Sequence, residues 1–171
     1  MPDIENYKSS ALKGGGLRQN LFQVQAGNKV GNNEKLKFLI KSTSLPSATV
    51  GEILVPYRGR VIKIPGDRTF EDWEITIISD AEMKLRIDFE KWHNEMNKHV
   101  ENTVKYDDSN LYEDWSVEQL DRMGKGVRKY NLIGCWPKNI GAMEVAFDTN
   151  DTIAEFTVTL TYQYWTSKEV S

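Results

Sequence analysis

The thirteen residues from Ile153 to Trp165, IAEFTVTLTYQYW, decide the fold class. Phe156, Val158, Leu160, Tyr162 and Tyr164 fall on one side of an extended chain, and Thr157, Thr159, Thr161 and Gln163 on the other. A period of two with β-branched and aromatic residues marks a strand with one dry and one wet face. The stretch has no proline, and after Glu155 no charge until Lys168. Proteins normally blunt exposed strand edges with such residues, so this strand is expected to offer its open edge to another copy of the chain.

Outward from that strand the period stays mostly two. Residues 20–26 place Phe22, Val24 and Ala26 against Gln23 and Gln25, and residues 35–43 place Leu36, Phe38 and Ile40 against Lys35, Lys37 and Lys41, with Leu39 out of phase. The turn-rich residues 27–33 between them predict a hairpin. Pro46, in Ser44-Leu45-Pro46, lacks an N–H and ends pairing. Residues 53–57 and 60–65 read as short extended pieces around Arg58-Gly59, and strands are expected at 73–79, 127–133 and 143–147. Residues 106–122 are ambiguous: Ser116 and Gln119 mimic a capping box, while Trp115 and Val117 fit the strand or loop preferred here.

One segment has helical period. Ala81, Leu85, Phe89, Trp92 and Met96 form a single stripe between residues 81 and 97, with Asp80 as the expected N-cap and Glu82–Arg86 and Lys91–Glu95 as expected i,i+4 pairs. Residues 1–19, ending in Gly14, Gly15 and Gly16, read as a flexible arm, and residues 20–171 as one domain. Many strands and one amphipathic helix predict a mainly β protein, a small β-sandwich or barrel with one flanking α-helix.

Composition bounds the function. The chain has 171 residues, 39% hydrophobic and 27% charged, which excludes a disordered tail and a helical membrane protein. Its start lacks the apolar core of a secretory signal. A single cysteine, Cys135, cannot form an internal disulfide and suits a reducing compartment. A net charge of −3 argues against gripping nucleic acid through a basic surface.

The search for chemistry finds little. His93 and His99, six apart, do not share a helical face or metal-ligand spacing. Residues 148–159 begin like a calcium loop, but Ile153 stands where the glycine should be and Thr159 where the glutamate should be. A turn is expected there. Glu71 and Asp72 offer a carboxylate pair of the kind a glycosidase uses, which any acidic domain also offers. The densest segment is Gly66-Asp67-Arg68-Thr69-Phe70-Glu71-Asp72-Trp73. Pro65-Gly66 predicts a turn there, and Asp67, Arg68, Glu71 and Asp72 a local ion-pair network or a subunit contact.

These segments resemble the tail tube proteins of contractile-tailed bacteriophages, most closely the T-even type. The resemblance rests on Asn20-Leu21-Phe22-Gln23-Val24, Lys41 to Pro46, Ile53 to Arg60, Gly66 to Trp73 with Ile75-Thr76, Gly134-Cys135-Trp136-Pro137 with Ile140-Gly141, and Phe156 to Leu160 with Tyr162, Tyr164 and Trp165. It spans residues 20–165, apart from about 98–125 and the arm.

The resemblance implies a structural virion protein, with no enzymatic step and no cofactor or metal. Six copies would form a ring whose inner sheets join into one barrel, and stacked rings would form the inner tail tube. Its partners would be further copies of itself, the tail sheath protein and the baseplate tube-initiating and tail-terminating proteins, with DNA passing transiently and no membrane anchor. It would be assembled in the host cytoplasm and reside in the virion. Candidate subunit contacts are Leu45, Pro46, Arg58, Arg60, Gly66, Asp67, Arg68, Glu71 and Asp72, and the candidate lumen face is Thr157, Thr159, Thr161 and Gln163. The rival readings are the tube of a type VI secretion or extracellular contractile injection system, and a monomeric ligand-binding β-barrel.

Overall fold

The computed structural model describes residues 4–6, 10, 15–31, 33–104 and 109–169. Nine strands carry the fold: β1 (Phe22–Gln25), β2 (Ile40–Thr43), β3 (Ala48–Tyr57), β4 (Arg60–Phe70), β5 (Trp73–Ile78), β6 (Glu113–Leu120), β7 (Gly126–Ile140), β8 (Glu155–Thr161) and β9 (Tyr164–Glu169). Two helices of more than one turn accompany them, α1 (Asn33–Leu39) and α2 (Lys84–Met96). Seven strands form one antiparallel sheet in the order β1-β6-β7-β8-β5-β2, with β9 also on β7, while β3 and β4 pair only with each other.

The sheet folds over on β7. Residues 126–135 of this long strand pair with β6, and 128–133 also with β9, whereas Trp136–Ile140 pair with β8. Gly134, at φ 68°, sits at the changeover, and a Cβ there would lie 3.0 Å from Gln163. Val24, Val117 and Leu132 of one half thus meet Ile75, Ile77, Val158 and Leu160 of the other in a single core. Trp73 and Trp115 join the halves edge to face at 6.1 Å. This is the mainly β sandwich with a flanking helix that the alternation predicts. Leu85, Phe89 and Trp92 of α2 are buried, with Phe89 6.0 Å from Trp115. Met96, the last residue of the predicted stripe, is partly buried.

Several local expectations are overturned. Residues 35–43 are not one strand: α1 runs to Leu39 and β2 begins at Ile40. Leu36, Leu39 and Ile40 follow helical spacing, and Leu36 and Ile40 are buried, so the out-of-phase Leu39 belongs to the helical pattern. The predicted β1–β2 hairpin does not form, since β1 pairs β6 and β2 pairs β5. Asp80 does not cap α2. Its carbonyl accepts from Met83 N–H in a turn, and Met83 precedes the helix at φ 52° without a side-chain cap. The helix pairs also differ: Arg86 binds Glu90, Glu82 binds Lys84, and Glu95 binds Lys29.

Residues 143–147 are a loop, not a strand, because only Met143 of the alternating set packs on the core. The stretch 153–165 is two strands. Gln163 turns the corner, its N–H donating to Ile133 O at 3.0 Å, and the alternation slips by one residue. Tyr162 keeps the dry phase of β8 and is buried, whereas past the corner Tyr164 faces solvent and Trp165 packs inward against Tyr130. Nor is β8 an open edge: β5 lies on one side and β7 on the other. Among the described residues the sheet margins are β1, β2 and β9. The ambiguous region 106–122 contributes β6, the strand preferred for it, although 105–108 lie outside the described residues. So does much of the arm, whose described parts are a short helical turn, Ile4–Asn6, and residues 10 and 15–19.

Candidate assembly surface

The pieces expected around Arg58-Gly59 are one long ribbon. Backbone pairing runs from Tyr57 and Arg60 at the tip to Ala48 and Phe70 at the root. Arg58 and Gly59 both have positive φ, 45° and 81°, the requirement of a two-residue type I′ turn. Ten extended residues reach roughly 33 Å. The predicted turn at Pro65-Gly66 is absent. Gly66 and Asp67 instead face the single residue Gly51 in a β-bulge between the Val50–Arg68 and Glu52–Pro65 pairs. A Cβ on Gly66 would stand 3.1 Å from the carbonyl oxygen of Gly51, so a larger residue would press the two strands apart by a few tenths of an ångström.

Both faces of the ribbon are apolar and both are wet. Ile53, Val55, Tyr57, Ile62 and Ile64 share one face and are all exposed. The other carries Leu54 and Val61, also exposed, beside the Glu52–Lys63 ion pair. A two-stranded ribbon on its own is marginal in water, and contiguous exposed apolar surface marks an interaction site. Its apolar content was hard to read from sequence because Ile53-Leu54-Val55 has no wet face and so no alternation. The visible signal was the consecutive apolar run flanking Arg58-Gly59.

The root is clamped. Trp73 Nε1 donates to Ser44 O at 2.6 Å and Trp165 Nε1 to Ser47 O at 3.1 Å. Ser47 Oγ donates to Glu71 at 3.0 Å. Asp72 accepts from Lys138 Nζ at 2.6 Å and from Thr161 Oγ1 at 2.7 Å. Those bonds, the Lys138 ammonium first, hold the Asp72 carboxyl below its ordinary range. A carboxyl so stabilised in its charged form is a poor general acid.

All nine predicted contact residues thus lie on the hairpin or at its root. Arg58 and Arg60 are at the tip, with the Arg58 guanidinium 5.4 Å from the Tyr57 ring centre. Gly66, Asp67 and Arg68 are at the bulge, and Leu45, Pro46, Glu71 and Asp72 at the root. Asp67, Arg68, Glu71 and Asp72 do not form the expected local network. Glu71 and Asp72 turn to Ser47 and Lys138 instead, clamp partners that spacing along the chain could not reveal.

Of the predicted lumen face, Thr157, Thr159 and Thr161 are half-buried on the outer side of β8, opposite Phe156, Val158 and Leu160. Thr157 lies beside Thr76, and Thr159 between Glu74 and Asn139. Gln163 leaves this face for the corner. The cations flanking it are paired, Lys41 with Glu155 and Lys138 with Asp72, each at 2.6 Å. Where a β-barrel would hold a ligand, this interior holds Trp73, Trp115 and Phe89. His93 and His99 approach to 6.0 Å between ring centres, but no cluster of three or more His, Cys, Asp or Glu side chains suited to a metal exists among the described residues. No helix among them is long and apolar enough to cross a membrane.

An apolar hairpin projecting from a small sandwich with open sheet margins is the kind of surface a subunit of a larger assembly presents. Residues 12–168 match the family model for phage tail tube proteins, and the chain belongs to that family. It is 33% identical over 163 residues to the tail tube protein gp19 of Enterobacteria phage T4, covering 95% of this chain and 98% of that one. It is 28% identical over 168 residues to the tail tube protein of Serratia phage KSP90, covering 95% of each. Among solved structures, a chain of the anti-feeding prophage baseplate shares the fold at a TM-score of 0.68 and 14% identity, covering 91% of this chain and 97% of that one. This protein is thus a structural component of a phage tail.

Proposed function

We propose that six copies of this chain close into a ring and that rings stack into the inner tube of a contractile tail. The observation that carries this is the hairpin: about 33 Å of two-sided apolar ribbon, clamped at its base, gains most of its burial only against another copy. The hairpin, with Arg58 and Arg60 at its tip and Asp67 and Arg68 at its bulge, makes the contact between rings, and residues 1–19 serve as a second arm. The open margins β1, β2 and β9 pair around the ring, because closing a sheet removes its edges.

The work of such a tube is mechanical and needs no bond-making step. A surrounding sheath shortens, the rigid cylinder is driven forward, and DNA leaves through the bore. Lining the bore with Thr157, Thr159 and Thr161 keeps free cations away from phosphates and lowers friction. Six copies at −3 each give a ring of −18, which repels the cargo. Sheath protein outside, a baseplate initiator below and a terminator above complete the partners.

Negative-stain microscopy of the purified protein over a concentration series tests the proposal. Hollow cylinders with six-fold end views are expected. A monodisperse monomer at every concentration, with or without a baseplate nucleus, overturns it.

A further inference from the structure

Two surface features lie away from the hairpin. The first is the loop between β7 and β8. Gly141 at its start is held by Thr157 O, and its carbonyl accepts from Arg86 Nη1 near the beginning of α2. Met143 turns inward, but Val145 is 84% exposed and Phe147 wholly so. Glu144, Asp148 and Asp151 surround them, and no lysine or arginine occurs from Gly141 to Ala154. An exposed Phe in an acidic loop is an apolar knob with negative charge about it.

The second feature is a cavity of about 460 Å³ at the far end of α2, walled by Met96, Val104, Leu111, Tyr112 and Trp136. Lys98 and the imidazoles of His93 and His99 also border it. Lys98 is itself paired with Glu101 at 2.8 Å, and Glu95 with Lys29 at 2.7 Å, so a visiting carboxylate shares Lys98 with Glu101. A cavity of about 150 Å³ holds benzene, so this one has room for the rings and branches of Phe147 and Val145 together. Ten residues of helix, about 15 Å, separate Arg86 from Met96. Within one copy, then, the loop that carries the knob leaves from one end of α2 and the socket opens at the other.

We propose that the 143–147 loop of one copy seats Phe147 and Val145 in the Met96–Trp136 cavity of a second copy, with the acidic loop against the Lys98–His99 rim. Knob and socket are different surfaces, so the contact is head-to-tail, and repetition produces a closed ring or an unending stack. It rests on the assembly reading above but uses neither the hairpin nor the sheet margins.

A double variant, F147C with Y112C, tests it, because Cys135 is buried and does not compete. Assembled tubes are treated with a short bis-maleimide and run under denaturing conditions. A ladder of covalent dimers and higher oligomers, absent from both single variants, is expected. Phe147→Asp should leave the monomer's melting temperature unchanged and lower the assembled fraction about tenfold, the loss expected of one buried aromatic anchor. Wild-type cylinders with no ladder, a cross-link confined within one chain, or normal assembly of Phe147→Asp each overturn this contact and leave the tube reading standing. Absence of cylinders from the wild type overturns both.

Discussion

Trp165 donates its indole N–H to the carbonyl of Ser47 across 3.1 Å, joining residues 118 apart in sequence. The same indole packs edge to face on Tyr130 at 5.5 Å, so its position is fixed by the sheet and in turn fixes the hairpin's root. Trp165→Phe keeps most of the packing and removes the bond. It should cost about 1 kcal/mol, the usual worth of one such bond, and speed amide exchange in residues 47–50 more than in β7. Equal exchange throughout would show that the indole does not hold the root.

Arg68 occupies an exposed position at the bulge of β4, paired through its backbone with Val50. Its guanidinium has no hydrogen-bond or ion-pair partner among the described residues. Arg68→Ala should leave a soluble, folded monomer that assembles poorly. Cylinders of normal length by electron microscopy would exclude a role in assembly.

Gly134 carries φ 68° where β7 passes between the halves of the sandwich, and a Cβ there would meet Gln163 at 3.0 Å. Its N–H also donates to Asp114 at 3.0 Å. Gly134→Ala must strain the backbone and displace Gln163, so a loss of about 1–3 kcal/mol is expected by chemical denaturation. Gly59, where no atom crowds the missing Cβ, pays only for its positive φ of 81°. Gly59→Asn, which tolerates that region, should cost less than Gly134→Ala.

Alkali should unfold the protein by a defined route. Burial pushes the Cys135 thiol and the Tyr162 phenol each up to about 12. Both folded values exceed those of the unfolded chain, so the stability they confer is complete below pH 9–10 and fades as pH rises towards 12. Thermal midpoints should fall across that window, and less steeply in Tyr162→Phe. At pH 8 Cys135 should react with a thiol reagent only after denaturant is added; rapid reaction of the native protein would contradict its burial.

Asp72 has the opposite sign. Its carboxyl is held low, mainly by the Lys138 hydrogen bond and then by Thr161. Its contribution is therefore present above the ordinary carboxylate value of 3.8 and is lost as pH falls through the lower folded one. The group is well exposed, so the effect is small, and Lys138→Met should flatten the acid limb of a stability–pH curve only slightly.

What could be read in the sequence follows from which interactions are local. Alternation in Phe156, Val158 and Leu160 records a face buried by one sheet, and it located β8 and the core. It could not show that Tyr162-Gln163 turns a corner, because the turn is set by Ile133 O, thirty positions earlier. Nor could it show that β8 is an interior strand, since pairing partners are not written in a strand's own residues. The Leu36, Leu39, Ile40 spacing fits helix and strand over so short a window, and tertiary burial decides between them. The candidate contact residues were chosen from the sequence, and they lie on one hairpin or at its root. Their clamp partners Trp165, Ser47 and Lys138 come together only in the folded chain.

β7 belongs to both halves of the sandwich, pairing with β6 and β9 up to Cys135 and with β8 from Trp136 onward. A shear force that slides one half past the other must therefore pull on peptide bonds as well as on hydrogen bonds. If copies stack into a cylinder as proposed and force is applied along it, that strand would act as a tie-rod, carrying load between the halves of each subunit along a covalent path.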